Sequence, residues 1–258
     1  MALSCFAYGN EADRLFYEAV RVEAKGELYA AIALYEKANT IAHSANLHGN
    51  LANLHFKTDH YGKAVLNYRK ALLLAPENLE FKANLRRVME VADLPIANPT
   101  ADDSYFAPNT INLWCWLTVI LFWSGLIGGF FLLGAILPIS VKTGILTTWA
   151  TLVGLGVYAC WRSDNNAALL LREAVAVAES PANTEEGSSV IPLRRYAGDT
   201  NEANAKLKSG EIVRIDVGER GDLKKHVTPN GEVWYLARSR SGGKKGWAKR
   251  KELLRILN

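Results

Sequence analysis

Two long uncharged stretches dominate the hydrophobic pattern of the chain. Residues 104–141 contain no charged side chain, and neither do residues 143–161. The hydrocarbon core of a bilayer, about 30 Å thick, is crossed by roughly 20 apolar residues in a helix. The pattern therefore predicts transmembrane helices over residues 113–137 and 144–161, joined by a loop at residues 138–143. A pair of buried helices in a soluble core is disfavoured, because soluble proteins of this size seldom contain such long uncharged segments.

The flanking charges bear on the role and topology of this hairpin. Neither span contains an ionisable residue, which argues for an anchor and against a transporter, channel or proton relay. An even number of spans leaves both ends of the chain on one side. The linker at residues 93–112 contains no Lys or Arg, whereas the loop contains Lys142, and this favours both ends outside; Arg162 and Arg172 oppose that assignment.

The first nine residues carry a separate signal. Residues 1–9 lack a basic segment, but Cys5 and Ala7 are small residues spaced like those that precede a signal-peptide cleavage site. We interpret residues 1–9 as the remnant of a signal peptide. The corresponding hypothesis is that an export signal or the true start is missing from this chain.

Residues 10–92 contain an internal repeat with a spacing of 33 residues. The recurring pairs are Leu28/Tyr61, Ala31/Ala64, Tyr35/Tyr68 and Ala38/Ala71. This pattern resembles the tetratricopeptide repeat, whose period is about 34 residues. The resemblance implies two helix pairs, at residues 12–44 and 45–77, followed by a capping helix that ends near residue 91. Such an all-α array is close to the minimum that can bury its own apolar faces.

Tetratricopeptide arrays usually bind peptides or helices in a concave groove, so the resemblance implies a protein partner. The predicted groove positions are Phe16, Val20 and Glu23 in the first unit and Gly49, Asn53 and Phe56 in the second. Phe16 and Val20 stand where carboxylate-clamp versions of the repeat carry Lys and Asn, which argues against a C-terminal carboxylate as ligand. The alternative, that these side chains only cap or pack, stays open.

Four of the five histidines lie in the repeat region, at His43, His48, His55 and His60. Neutral imidazoles are good metal ligands, but no neighbouring pattern of cysteines or carboxylates completes a familiar site. Three cysteines are also too few, and too widely spaced, for a disulfide framework or a zinc site. We therefore predict no metal site and no cofactor.

After the second span the period of the pattern changes. Residues 162–172 are typical of a juxtamembrane continuation, and residues 173–258 contain short apolar strands between Gly, Pro and Asn turns, which predicts a small β-barrel. Three motifs resemble a bacterial SH3-type domain: Leu207-x-x-Gly210-Glu211-x-Val213-x-Ile215, Val233-Trp234-Tyr235 and Lys245-Gly246-Trp247-Ala248. The predicted fold is thus a multidomain membrane protein with an all-α repeat array, a transmembrane hairpin and an all-β SH3-like barrel.

The β-region is strongly basic, because residues 194–258 hold 16 Lys/Arg and 8 Asp/Glu in a chain whose net charge is +4. Such a field attracts anions, and lipid head groups or cell-wall polymers are candidates. Nucleic acid is disfavoured because the aromatic and basic pattern of RNA-binding modules is missing. A solvated surface without a ligand is the alternative. The candidate residues are Lys224, Lys225, Arg238, Arg240, Lys244, Lys245 and Trp247.

The sequence contains no HExxH, GxSxG or Walker motif, so we predict that the protein is not an enzyme. The order of its parts, together with Ala75-Pro76-Glu77-Asn78-x-Glu80-Phe81-Lys82-Ala83-Asn84-Leu85, resembles the BatE-type membrane proteins of bacterial Bat (aerotolerance) operons. The resemblance implies a two-pass scaffold or adaptor in the bacterial cytoplasmic membrane, with both soluble parts in the periplasm. It implies as partners von Willebrand A-domain membrane proteins and a MoxR-type ATPase. A module that binds or senses peptidoglycan or anionic lipid is the alternative.

Overall fold

The computed structural model describes residues 2–96, 105–178, 190–199, 202–219, 221–240 and 243–257, with side chains from residue 11 onward except that of residue 133. The chain divides into two compact units, which are described separately. One unit combines Met1–Ala97 with Arg172–Asn258, and the other is Asn98–Leu171. Residues 2–9, interpreted above as a signal-peptide remnant, belong to the first helix, and their side chains lie outside the described residues.

Five helices build the first part of the larger unit. They are α1 (Ala2–Ala24), α2 (Leu28–Ile41), α3 (Ala45–Lys57), α4 (Tyr61–Leu74) and α5 (Leu79–Val91). Within each of the first two helix pairs the chain turns through a residue with positive φ, Gly26 (φ +83°) and Asp59 (φ 59°), which lie 33 residues apart as the repeat predicts. Between pairs, the Ser44 hydroxyl accepts a hydrogen bond from the Leu47 amide and so caps α3.

The residues that recur in the sequence are the ones on which the helices pack. Ala31, Ala64, Tyr35 and Tyr68 are all almost completely buried. The two alanines permit close helix contact, and the Tyr35 hydroxyl accepts a hydrogen bond from Asn50 on the next pair, at 3.1 Å. The repeated pattern therefore marks the contacts within and between the pairs, while Leu15, Leu51 and Leu54 belong to a core shared by α1, α2 and α3.

Eight strands form one antiparallel sheet in the second part of this unit, which we call the β-domain. They are β1 (Glu173–Ala176), β2 (Val190–Arg194), β3 (Ala203–Lys208), β4 (Ile212–Ile215), β5 (Lys225–Val227), β6 (Val233–Ser239), β7 (Lys245–Lys249) and β8 (Leu253–Arg255). The strand order is β3-β2-β7-β6-β4-β1-β8, and β5 pairs with β6. One face encloses a core that includes Ile191, Leu207, Val213, Tyr235 and Ala248.

The helices and the β-domain share a hydrophobic core. Along β1, Ala174 and Ala176 belong to the core of the β-domain, whereas Val175 packs into a cluster with Val65 of α4. Leu94, Val177 and Ile256 complete this shared cluster. The sequence predicts the repeats and the β-region as separate domains, because an apolar residue in a strand does not by itself indicate which surface covers it. In the structure they are one packed body.

The smaller unit contains the two apolar helices, α6 (Ile111–Gly134) and α7 (Ile139–Leu170), preceded by a 3₁₀ turn at Pro108–Thr110. Both are long and apolar enough to cross a membrane, and almost none of their residues is buried. The prediction of two such helices is confirmed. The second one is longer than residues 144–161, since it begins directly after Pro138 and continues through the polar residues up to Leu170.

Glycines determine how α6 and α7 pack. A Cβ atom at Gly125 would lie 1.7 Å from Trp149 Nε1, so the indole occupies the space that a side chain would take. The same Nε1 donates a hydrogen bond to the Leu121 carbonyl at 2.9 Å. Gly156 accommodates Thr118 in the same way, because a Cβ there would lie 2.4 Å from the Thr118 hydroxyl. The hairpin therefore has a specific register.

Candidate binding surfaces

The first candidate surface is the predicted groove of the helical array. Two contacts link its helices: Lys57 of α3 pairs with Glu23 of α1 at 2.8 Å, and the Arg87 guanidinium of α5 lies 6.0 Å from the centre of the Phe56 ring. The predicted positions on α1 and α3 therefore belong to neighbouring helices that contact one another. We call this surface the groove face; it comprises Phe16, Val20, Glu23, Asn53 and Phe56 with their neighbours Lys57 and Arg87.

The side chains of the groove face differ in their exposure and in the contacts that they make. Val20 is 41% exposed. Phe16 is half-buried and packs edge-on against Tyr35, and Asn53 accepts a hydrogen bond from the Tyr68 hydroxyl. Gly49 is buried, and a Cβ there would lie 2.5 Å from the Phe81 ring, so it serves packing between helices and does not line a groove. Part of the predicted groove set thus has a structural role as well.

The second candidate surface lies on the β-domain, opposite its enclosed core. Because strand side chains alternate, the pairs Trp234↔Lys249, Leu236↔Trp247 and Arg238↔Lys245 share one face, while Tyr235, Ala237 and Ala248 point into the core. We call this surface the outer β-face. It combines aromatic rings with basic side chains, which the linear sequence shows only as separate clusters.

Trp247 is the half-buried aromatic residue of the outer β-face. Its ring meets that of His226 edge-on, with centroids 6.2 Å apart. Arg238 and Lys245 lie on the same face and share Asp216, at 3.5 and 3.0 Å. Lys224 and Lys225 are exposed at the β5 edge, and neither forms an ion pair with any described residue. Four of the seven predicted residues, namely Lys224, Arg238, Lys245 and Trp247, therefore lie on or beside this face. Lys225 pairs with the core-facing Tyr235, so its exposed side chain leaves β5 on the opposite side.

The other two predicted residues serve buried carboxylates. Lys244 pairs with Glu211 at 3.1 Å, and Glu211 is only 2% exposed. The Ser239 hydroxyl also donates a hydrogen bond to Glu211, at 2.6 Å. Arg240 lies 3.5 Å from the buried carboxylate of Glu173, at the junction with the helices. Neither contact is visible in the sequence, where both cations look like parts of a solvated cluster.

Trp234 also belongs to this face, although the sequence predicts no binding role for it. It is 1% exposed, and the Arg194 guanidinium and Lys249 ammonium lie 5.6 and 5.5 Å from its ring. Lys249 also binds Asp199 at 2.7 Å and Glu232 at 2.9 Å. The hydrogen bonds to these carboxylates raise the pKa of Lys249. Cations thus cover the indole, and carboxylates hold them in place.

The four histidines of the helical region occupy two pairs. His43 stacks on His48, and His55 meets His60 edge-on. Burial, with smaller contributions from the neighbouring Lys63 and His60, lowers the pKa of His55 to about 3. Burial also lowers the pKa of His48, against the effect of its hydrogen bond with Asn67. Among the described residues, no three His, Cys, Asp or Glu side chains are grouped so as to hold a metal ion.

No known protein family matches this sequence, and no curated protein is significantly similar to it. The two surfaces are therefore the candidates for function. The groove face of the helices mixes apolar and polar side chains, and the outer β-face combines aromatic and basic ones. Both arrangements are suited to binding extended or charged partners.

Proposed function

We propose that the protein is a membrane-anchored scaffold that binds protein partners through the groove face. The observation that carries this proposal is the packing of the helices and the β-domain into one body, in a chain that also has two long apolar helices between them. The repeat spacing and the buried alanine and tyrosine pairs support a tetratricopeptide array. The strand motifs around Gly246 and Trp247 support an SH3-like domain.

The shared core also bears on topology. Residues of α4 and of β1 pack into one hydrophobic cluster, although the apolar helices separate them in the chain. Both soluble parts must therefore lie on the same side of any membrane that the hairpin crosses. An even number of spans meets this requirement. We place both parts in the periplasm of a bacterium, attached to the cytoplasmic membrane, in line with the charge of the linker and the BatE-type resemblance.

The partner classes follow from that resemblance and from the groove chemistry. Val20 and Phe16 offer apolar contacts, while Lys57 and Arg87 offer positive charge on the same surface. A peptide segment or helix with apolar and acidic residues fits this surface. In the proposed setting, von Willebrand A-domain membrane proteins and a MoxR-type ATPase are the partners to examine.

Site-specific photo-crosslinking in intact membranes tests the adaptor proposal. A photoreactive amino acid is placed at Val20 or Asn53 on the groove face, and the control position is the exposed Lys37 on α2. We expect crosslinks to the same discrete proteins from both groove positions and none of these from Lys37. Identical products from all three positions, or no products from the groove positions, would contradict the proposal.

The outer β-face supports a second candidate function, the binding of anionic envelope polymers or lipids. The supporting observation is the contact of Trp247 with His226 beside the exposed Lys224. Full-length protein should then bind vesicles with anionic lipid, or purified peptidoglycan, in a salt-sensitive manner. Trp247→Ala and Lys224→Gln should each weaken binding several-fold, whereas Lys37→Gln on α2 should not. Equal binding by all variants would exclude this surface.

A further inference from the structure

The junction between α4 and the β-domain holds three arginines around one carboxylate. Arg69 comes from α4, Arg214 from β4 and Arg240 from the turn after β6, and Glu173 is the first residue of β1. Arg69 binds one carboxylate oxygen of Glu173. Arg214 Nη2 and Arg240 Nη1 each lie 3.5 Å from the other oxygen. We call these four residues the arginine cluster.

The arginine cluster carries more positive than negative charge. Within the described part of the chain, Glu173 is the one carboxylate with which these three arginines form ion pairs. Burial lowers the pKa of the Arg69 guanidinium from its usual value, Glu173 opposes that shift, and Arg240 and Arg214 add to it. A partly enclosed group of cations with this imbalance attracts anions.

Several hydrogen-bond donors of the arginine cluster also lack a well-placed acceptor among the described residues. Among the described contacts, only Arg69 donates a hydrogen bond to Glu173. The 3.5 Å separations of Arg214 and Arg240 exceed the roughly 2.7–2.9 Å of a charge-assisted N–H···O bond. Arg214 Nε is buried and has no acceptor among the described residues. Guanidinium groups present planar forks of donors that match the oxygens of a phosphate.

The cluster is open to ligands on one side. Glu173 is only 4% exposed, whereas the side chains of Arg214 and Arg240 are 37% and 28% exposed. We propose that the arginine cluster binds a small phosphate-type oxyanion, held by Arg214 and Arg240 and backed by Arg69. Because Arg69 belongs to the helical part and the other two to the β-domain, the bound anion ties the two parts together.

Phosphate binding to full-length protein in phosphatidylcholine nanodiscs tests the proposal. Calorimetry with inorganic phosphate, against chloride at matched ionic strength, should give saturable binding of one anion per chain and a higher unfolding temperature. Arg214→Gln and Arg240→Gln should each weaken binding at least tenfold. Lys206→Gln, which removes an exposed charge on β3, away from the cluster, should leave it unchanged. Loss of binding in all three variants would indicate a general charge effect and would overturn the site.

Glu173→Gln separates an anion site from a purely structural ion pair. In this variant the arginines lose their protein carboxylate, so the unfolding temperature in chloride should fall, and phosphate should restore it while binding more tightly than to the wild type. If phosphate restores nothing, the cluster is only a link between the two parts. Should Glu173→Gln fail to fold, binding by the wild type and the two arginine variants decides the question.

A competition experiment distinguishes a free phosphate from a lipid head group as the ligand of the cluster. Nanodiscs that contain phosphatidic acid offer the same phosphate chemistry on a lipid. Competition between this lipid and inorganic phosphate would identify the head group as a ligand of the cluster, and undiminished phosphate binding would assign a soluble ligand. Absence of saturable phosphate binding in phosphatidylcholine nanodiscs, together with no arginine-dependent effect of phosphatidic acid, would overturn the proposal. That result would leave the scaffold function untouched, since the groove face uses other residues.

Discussion

Two glycines permit the close approach of α4 to the β-domain. A Cβ at Gly62 would lie 2.4 Å from the Ser209 hydroxyl and 3.0 Å from the Ala176 carbonyl oxygen. Gly210 faces Gly62 across this contact and has a φ of +100°, which side chains with a Cβ rarely adopt. The sequence analysis includes Gly210 in a strand motif, but gives Gly62 no role.

Gly62→Ala tests this contact. Alanine favours a helix by up to about 1 kcal/mol over glycine, so the change would stabilise α4 if the position were open. Because the added Cβ would clash with backbone atoms of the β-domain, we expect the opposite effect, a loss of roughly 1–3 kcal/mol in the free energy of unfolding. Thermal unfolding of the full-length protein measures the change. Gly218→Ala, where a Cβ meets only an ordinary contact at 3.8 Å, is the control and should be nearly neutral.

His55 makes stability depend on pH. Its pKa falls from 6.5 to about 3 on folding, mainly by burial, so the folded state resists protonation. The contribution of His55 to the free energy of unfolding is therefore complete above about pH 6.5. It declines by about 1.4 kcal/mol per pH unit as the pH falls toward 3. Glu36, His60 and Lys63 are the titratable groups that face the ring.

His55→Phe should flatten this dependence. A phenyl ring does not titrate, and it replaces the buried Nδ1, which has no hydrogen-bond partner in the described part of the chain. Unfolding temperatures between about pH 7 and 5 should fall less in this variant than in the wild type, with a residual slope from His48, whose pKa burial also lowers. His226→Gln, at an exposed residue of β5 that does not contact the helical histidines, is the control and should retain the wild-type slope. Parallel curves for wild type and His55→Phe would contradict the assignment.

Among the secondary-structure elements, helices are predicted more accurately than strands. The repeat spacing and the uncharged stretches predict the seven helices of the described residues, although α1 begins earlier, at Ala2, and α7 ends later, at Leu170, than predicted. Four of the eight strands are anticipated by apolar runs. Among the others, β3 contains Asn and Lys and β5 contains Lys and His, and both form because neighbouring strands offer backbone partners. Local composition does not contain that information.

The register of the α6–α7 hairpin predicts an intramolecular crosslink. The Cys115 and Cys160 side chains face one another across the two helices, and the Thr118 hydroxyl lies 3.8 Å from the Cys160 sulfur. In a Cys5→Ser background, a thiol oxidant such as copper phenanthroline should join the two cysteines within one chain, and mass spectrometry should find the loss of two hydrogens. Cys160→Ser is the control. Crosslinks only between chains would show that the helices pack differently.

In the molecule as a whole, the shared core makes the helices and the β-region depend on each other for stability. Val175, Val177 and Ile256 of the β-region are covered by α4 and the end of α5. Exposing such a cluster to water costs roughly 25 cal/mol for each Å² of apolar surface. The β-region in isolation therefore lacks part of its core, and binding studies on separated fragments would test an altered protein.

A fused soluble protein provides the test. Residues 98–171 are replaced by a Gly/Ser linker of about 20 residues, which spans roughly 25 Å on average. We expect one cooperative thermal transition for this protein, and a lower unfolding temperature or aggregation for residues 173–258 alone. Arg69→Gln should reduce the difference between them, because it removes the ion pair across the junction. Two independent transitions in the fused protein would show that the parts fold separately.

Amino-acid pattern alone predicts the helices, the two apolar spans and a basic strand-rich region. These features follow from periodicity and composition, which each segment carries on its own. The packing of the chain adds that Val175 completes a core with α4, that Arg240 and Lys244 bind buried carboxylates, and that Trp247 shares a face with Arg238. These relations join residues far apart in the chain, and they depend on strand register and on which surfaces cover one another.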